Sequence, residues 1–254
     1  IEKCAMDSYP VIHDKVRTLM EGHLALYSDE YPPGYSVNDF IHRCLNDRPI
    51  YFYNPEDNWM EKDGRTSGTG WDHTSLNGKL LSYREILFSA LVGVSSRTPF
   101  INPGDRFNQA EDVSDPETIT PDGICYGGVG VRMEKEGVME TQHCVISESQ
   151  NVEENGYGEN AILHQTETMD LRLWANFYGR TWFPTYKETV DYIRTNPTQD
   201  RYIVMENRNI FDTDIYYKRI SLVLESFLVD SENRAIKDNK QAFLHITGLG
   251  LGVW

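Results

Sequence analysis

HITGLGLGVW, residues 245–254, is the stretch on which the reading of the fold turns. Its three glycines, Gly248, Gly250 and Gly252, follow the apolar run AFLHI, which reads as the last strand. Glycines after a strand let backbone N–H groups approach a phosphate closely, so an anion is held without side-chain charge. The spacing is G-x-G-x-G, whereas a dinucleotide-binding turn needs G-x-G-x-x-G after the first strand, with a ribose-binding acid downstream. A nicotinamide cofactor is therefore a poor fit. A phosphate cradle and a plain glycine-rich bend remain as readings.

Composition narrows the choice. The 254 residues, 39% apolar, are enough to bury a sizeable core in one domain. Lys and Arg total 24 against 39 Asp and Glu, a net charge of −15. Such a surface does not hold a nucleic-acid polymer by general attraction, whereas a cationic partner suits it. Cys4, Cys44, Cys125 and Cys144 form no CxxC pair, which suggests free thiols, with two disulfides as the alternative. No stretch approaches the ~18 apolar residues of a membrane span, and no signal-peptide pattern opens the chain. A cytoplasmic or otherwise intracellular setting without membrane attachment is expected. The start at Ile1 reads as that of a fragment. No H-E-x-x-H, Cys/His cluster, G-x-S-x-G or P-loop is present, so neither a metal nor a cofactor is expected.

Periodicity gives the elements. Ile12, Val16, Leu19 and Leu26 mark one amphipathic helix, and VNDFIHRCL marks another. Residues 54–78 read as a long structured loop, in which Trp59 and Trp71 need packing partners. SYREILFSALVGV predicts a helix with Ser82 as N-cap and Glu85 completing a capping box. TPFIN and HCVIS read as short strands, and residues 105–123 as an exposed acidic loop. KETVDYIRT predicts a helix and YIVM a strand. In DTDIYYKRISLVLESFLV, Tyr216, Ile220, Val223 and Phe227 share a helical face. Alternating helix and strand favours a layered α/β domain with a partly parallel sheet.

Other stretches carry candidate chemistry. In TPFINPGDRFN, Asn102, Gly104, Asp105, Arg106 and Asn108 crowd polar groups where a strand ends, the usual ligand end of an α/β sheet. A loop stapled by an Asp–Arg pair is the plainer alternative. YGGVGVRMEKEGVMETQH supplies a second amide-rich loop, followed by Glu134, Glu140 and His143. A carboxylate beside such a loop can activate water or protonate a leaving group, although solvated glutamates and a structural histidine are commoner. The aromatic residues of WANFYGRTWFPTYKE can stack on a base or simply pack together.

Together, TPFINPGDRFN, YGGVGVRMEKEGVMETQH, FYGRTWFPTY and the strand ending in TGLGLGVW resemble the macrodomain superfamily. Within it they resemble the poly(ADP-ribose) glycohydrolase-like branch and its arginine-directed, MavL-like (ADP-ribosyl)hydrolase class. The resemblance spans residues 98–254. It implies a three-layer α/β/α macrodomain with a mixed central sheet, formed by residues 1–254 as one domain. Residues 1–80 or so would be a helical and loop N-terminal extension packed on it. It also implies removal of mono-ADP-ribose from arginine side chains, with ADP-ribose as the ligand and a mono-ADP-ribosylated protein or peptide as the partner.

The implied ADP-ribose-binding set is Thr98, Asn102, Gly104, Arg106 and Asn108; Gly127, Gly128, Val129, Gly130, Arg132 and His143; and Thr247, Gly248, Leu249, Gly250, Leu251, Gly252 and Val253. The implied acids are Asp105, Asp112, Asp122, Glu134 and Glu140. Glu140 falls near the branch's catalytic glutamate, but this chain has METQ where that branch has paired glutamates. That departure fits a different linkage specificity. The competing reading is a non-catalytic ADP-ribose reader, which needs the glycine loops but not the acids.

Overall fold

The capping box at Ser82 forms as the sequence predicts. Ser82 Oγ accepts from the Glu85 amide at 3.3 Å, and Glu85 Oε2 accepts from the Ser82 amide at 2.8 Å. The structure is a computed structural model that describes residues 9–46, 58–60, 66–69, 81–103, 111–133, 137–163 and 165–246. Its elements begin with β1 (Tyr9–Val11), α1 (Asp14–Leu26), α2 (Val37–Asn46), β2 (Asn58–Met60) and β3 (Thr66–Thr69). The capped helix α3 (Tyr83–Ser89) leads into β4 (Gly93–Pro99), followed by β5 (Asp122–Gly127), α4 (Thr141–Cys144) and β6 (Val145–Ile146). The rest is α5 (Thr166–Phe177), α6 (Tyr186–Thr195), β7 (Tyr202–Val204), β8 (Ile210–Asp212) and α7 (Thr213–Lys237).

The strands form small antiparallel sheets. β4 lies between β1 and β5, with β4 and β5 in register from Val94↔Gly127 to Pro99↔Asp122. β2 pairs with β3 inside the stretch expected to be a long structured loop; Trp71 lies outside the described residues. β8 lies between β6 and β7. The β7–β8 connection is tight, with the Met205 amide donating to Asn209 O at 2.8 Å, and a turn that short returns the chain antiparallel. No parallel pair occurs among the described residues, so the expected partly parallel sheet is not among them.

Several local expectations change: the helix expected over residues 82–94 ends at Ser89, with Gly93 and Val94 in β4, and TPFIN is strand only as far as Pro99. HCVIS begins as the single helical turn α4, and only Val145–Ile146 is strand. AFLHI, residues 242–246, read as the last strand, forms no ladder among the described residues, and Phe243 is 93% exposed. An apolar β-type run becomes a strand only where another strand satisfies its amides, and none among the described residues pairs with it.

The main core draws on both halves of the chain. Val16, Leu19 and Met20 of α1 and Phe40, Ile41 and Cys44 of α2 share one buried cluster with Ile86, Phe88, Trp174, Ala175 and Ile215. The N-terminal helices therefore help build the core. Helix α7 carries the least expected feature: its buried positions are Ile215, Arg219, Val223, Ser226 and Asp230. The spacing is helical, but three of these five side chains are polar; of the expected face Tyr216, Ile220, Val223 and Phe227, Val223 is buried and the others are half-buried.

Candidate active site

β4 and β5 with their connecting loop carry one group of candidate residues. Beyond the strands the hairpin continues: the Val113 amide donates to Ile101 O at 2.9 Å, and Asn102 Nδ2 donates to Glu111 O at 2.8 Å. These two bonds bracket Asp112, whose side chain is exposed. Asp122 opens β5 and is also exposed, with Arg97 Nη2 at 3.2 Å. Asp115 caps a short 3-10 turn by accepting from the Glu117 amide at 3.1 Å. Thr98 donates to Ser96 O of its own strand at 3.3 Å. Gly104, Asp105, Arg106 and Asn108 lie outside the described residues.

The second group is the glycine loop that leaves β5. Gly127 ends the strand and is exposed, whereas Gly130 is buried. A Cβ on Gly128 would lie 2.6 Å from Val223 Cγ1 and 2.9 Å from Tyr126 Cε1, so the loop backbone rests against α7 where only glycine fits. One turn before Val223, Arg219 reaches beneath the same loop with its side chain fully buried. Its Nη2 donates to Val129 O, Gly130 O and Ala90 O, each at 3.1 Å.

Glu140 completes this arrangement in a way the sequence did not suggest. It is 1% exposed, and Oε1 is ion-paired with Arg219 Nε. Oε2 accepts from the Arg132 amide at 2.6 Å, while the Glu140 amide donates to Arg132 O at 3.0 Å. Both oxygens are engaged by the protein interior, so the carboxylate braces the loop and does not face solvent. The resemblance implies that Glu140 falls near the catalytic glutamate; the structure buries it beneath the glycine loop. Arg132, expected to contact ligand, instead buries its guanidinium against Ser89 Oγ at 3.1 Å and Ile86 O at 3.3 Å. Glu134 lies outside the described residues.

His143, which the resemblance places in the binding set, sits among aromatic rings as a structural histidine would. It is 3% exposed, stacked on Phe183 at 5.1 Å between ring centroids and tilted against Trp174 at 4.8 Å. Burial, then the nearby Arg219 charge, pushes its pKa down to about 3, so the ring stays neutral. Burial, then the Glu140 charge, pushes the Cys144 thiol and the Tyr178 phenol up. The aromatic residues of WANFYGRTWFPTYKE belong to the same interior: Trp174, Tyr178 and Phe183 are buried, which favours packing over base stacking. Thr247, Gly248, Leu249, Gly250, Leu251, Gly252 and Val253 lie outside the described residues.

Arg219 was missed because an arginine within a helix is ordinarily read as solvent-facing. The available signal was its place in the i, i+4, i+8 series Ile215, Arg219, Val223. Among the described residues no group of three His, Cys, Asp or Glu side chains is placed to hold a metal ion.

The acidic end of the β4–β5 hairpin and the glycine loop lie at opposite ends of β5, since Asp122 opens that strand and Gly127 ends it. The family model described as ADP-ribosylhydrolase MavL-like matches residues 1–254. The chain belongs to this MavL-like family. It is 32% identical over 263 residues to the ADP-ribosylarginine hydrolase CG3568 of Drosophila melanogaster, an alignment covering 97% of this chain and 51% of that protein. It is 29% identical over 265 residues to the ADP-ribosylarginine hydrolase CG2909 of the same organism, with the same coverage of 97% and 51%. The chain thus spans about half the length of the curated relatives it matches. Within this MavL-like chain, the described acids from the candidate set divide into two kinds. Asp112 and Asp122 are open to solvent, and Glu140 is sealed against Arg219.

Proposed function

We propose that this chain is the ADP-ribosylarginine hydrolase module of its protein. It would cleave the N-glycosidic bond between the distal ribose C1″ and an arginine guanidinium. The observation that carries the reading is family membership along the whole chain, together with the two relatives that bear this activity in their names. In the reaction, water adds its oxygen to C1″ while the C1″–N bond breaks. The released guanidine takes up the proton that water loses, giving free ADP-ribose and an arginine guanidinium. A carboxylate that takes this proton, or pairs with the cationic leaving group, has to reach the substrate. Of the described acids in the candidate set, Asp112 and Asp122 are exposed, but Asp122 lies roughly 17 Å of strand away from the glycine loop, whereas Glu140 is buried at that loop. Asp105 remains a third candidate from the sequence.

The glycine loop at residues 127–130 is proposed to hold the diphosphate and distal ribose through backbone amides, alongside the TGLGLG segment. The scheme requires no metal and no redox cofactor. We also propose a macrodomain-type core, which the mixture of helix and strand supports. An intracellular setting is proposed as well, supported by the free thiols of Cys44, Cys125 and Cys144.

The test is incubation with a peptide carrying arginine-linked mono-ADP-ribose, followed by measurement of free ADP-ribose. Release is expected. Asp112→Asn and Asp122→Asn should each slow it by about 100-fold or more if the carboxylate does acid–base work. ADP-ribose binding with no release by the unaltered chain would replace the hydrolase with a reader.

A further inference from the structure

We propose that Arg219 is the positioning residue of the ADP-ribose loop, setting the orientation of its amides from beneath. The inference rests on the ADP-ribose reading above and assigns a role to a side chain that does not touch the ligand. Its basis is peptide geometry. In a planar trans peptide the carbonyl and the following amide point in opposite directions. Arg219 Nη2 draws the carbonyls of Val129 and Gly130 toward itself at 3.1 Å each. The amides of Gly130 and Val131 are therefore turned away from the guanidinium. A backbone that binds an anion through its N–H groups needs such an orientation fixed before the ligand arrives.

Two further contacts make the device more than a buried ion pair. Ala90 O, just beyond α3, accepts from the same nitrogen at 3.1 Å, which ties the loop to the helix preceding β4. Val223, four residues after Arg219 on the same face of α7, fills the space that a Gly128 side chain would need. One helix face thus sets the loop twice, by drawing in its carbonyls and by limiting its approach. Glu140 keeps the guanidinium in place through its pairing with Nε. Lysine cannot substitute fully, because one ammonium lacks the planar fork that bridges several acceptors while pairing with a carboxylate.

The test compares the unaltered chain with Arg219→Lys, using calorimetric binding of ADP-ribose and steady-state hydrolysis of the arginine-linked peptide. The lysine variant keeps a positive charge opposite Glu140, and its fold is checked by circular dichroism. Its Kd for ADP-ribose and its KM should both rise by about ten-fold or more. Its kcat should stay within about three-fold, because the reacting carboxylates sit on another element. Gly128→Ala leaves the ion pair intact and presses the loop off Val223; it should weaken binding in the same way, and it decides the matter if Arg219→Lys does not fold. Unchanged Kd and KM in a folded variant would overturn the proposal. Binding of ADP-ribose without hydrolysis by the unaltered chain would remove the hydrolase reading, and the role of Arg219 would then stand or fall on the Kd values alone. No ADP-ribose binding by the unaltered chain would overturn both.

Discussion

At Glu140 a carboxylate, an arginine and a loop backbone form one buried unit. Removing one partner of such a pair leaves the other charge stranded, at a cost of roughly 3–5 kcal/mol. Glu140→Gln is therefore expected to lower stability by about that amount in urea unfolding. Glu140→Met combined with Arg219→Met should not recover the loss, because the Arg132 amide and the carbonyls of Ala90, Val129 and Gly130 would lose their buried partners. His143 makes a pH prediction. Its folded pKa of about 3 lies below the ~6.5 of an unfolded histidine. A depressed folded value means that the unfolded chain binds the proton more readily, so the contribution is complete above pH ~6.5 and is lost toward pH ~3. Stability measured against pH should fall across that window by up to ~1.4 kcal/mol per unit from this residue. His143→Phe should remove that part of the slope, and an unchanged slope would mean that the ring is not held neutral by burial.

Among the elements, the capping boxes were legible in the sequence because their partners are three residues apart. Ser82 with Glu85 was read directly, and Thr185 with Glu188 uses the same rule at α6. Thr185→Ala removes the side-chain acceptor of the Glu188 amide, which lies 3.1 Å away. It should lower stability by about 1 kcal/mol, readable as a shifted midpoint in chemical unfolding. Helix α7 was also legible as a helix, and its inward face in part. Hydrophobicity selects Tyr216, Ile220, Val223 and Phe227, of which Val223 is buried and the others half-buried, while the packed helix also buries Arg219 and Asp230 because each meets charged or polar partners. For Asp230 these are Ser95 at 2.6 Å and Arg234 at 3.2 Å. The HCVIS and AFLHI runs show the complementary limit. Local composition gives β preference, but a ladder needs a neighbouring strand that composition does not specify.

On the scale of the whole molecule, the net charge of −15 would favour encounter with the proposed substrate when the peptide that carries it is basic. KM for a basic ADP-ribosylated peptide should rise as ionic strength passes ~0.15 M, where the screening length is ~8 Å, while kcat changes little. A salt-independent KM would show that the acidic surface plays no part in capture. The sequence alone determined the acidity, the capped helices, the glycine loop after β5 and the motif order that points to the MavL-like family. All of these are local patterns or sums over residues. Only the tertiary structure decided that Glu140 and His143 face inward, that Asp112 and Asp122 remain open to solvent, and that Arg219 sits under the loop. The physical reason is sequence distance. A charged side chain is buried or exposed according to whether a partner meets it, and the partners Glu140 and Arg219 lie 79 residues apart.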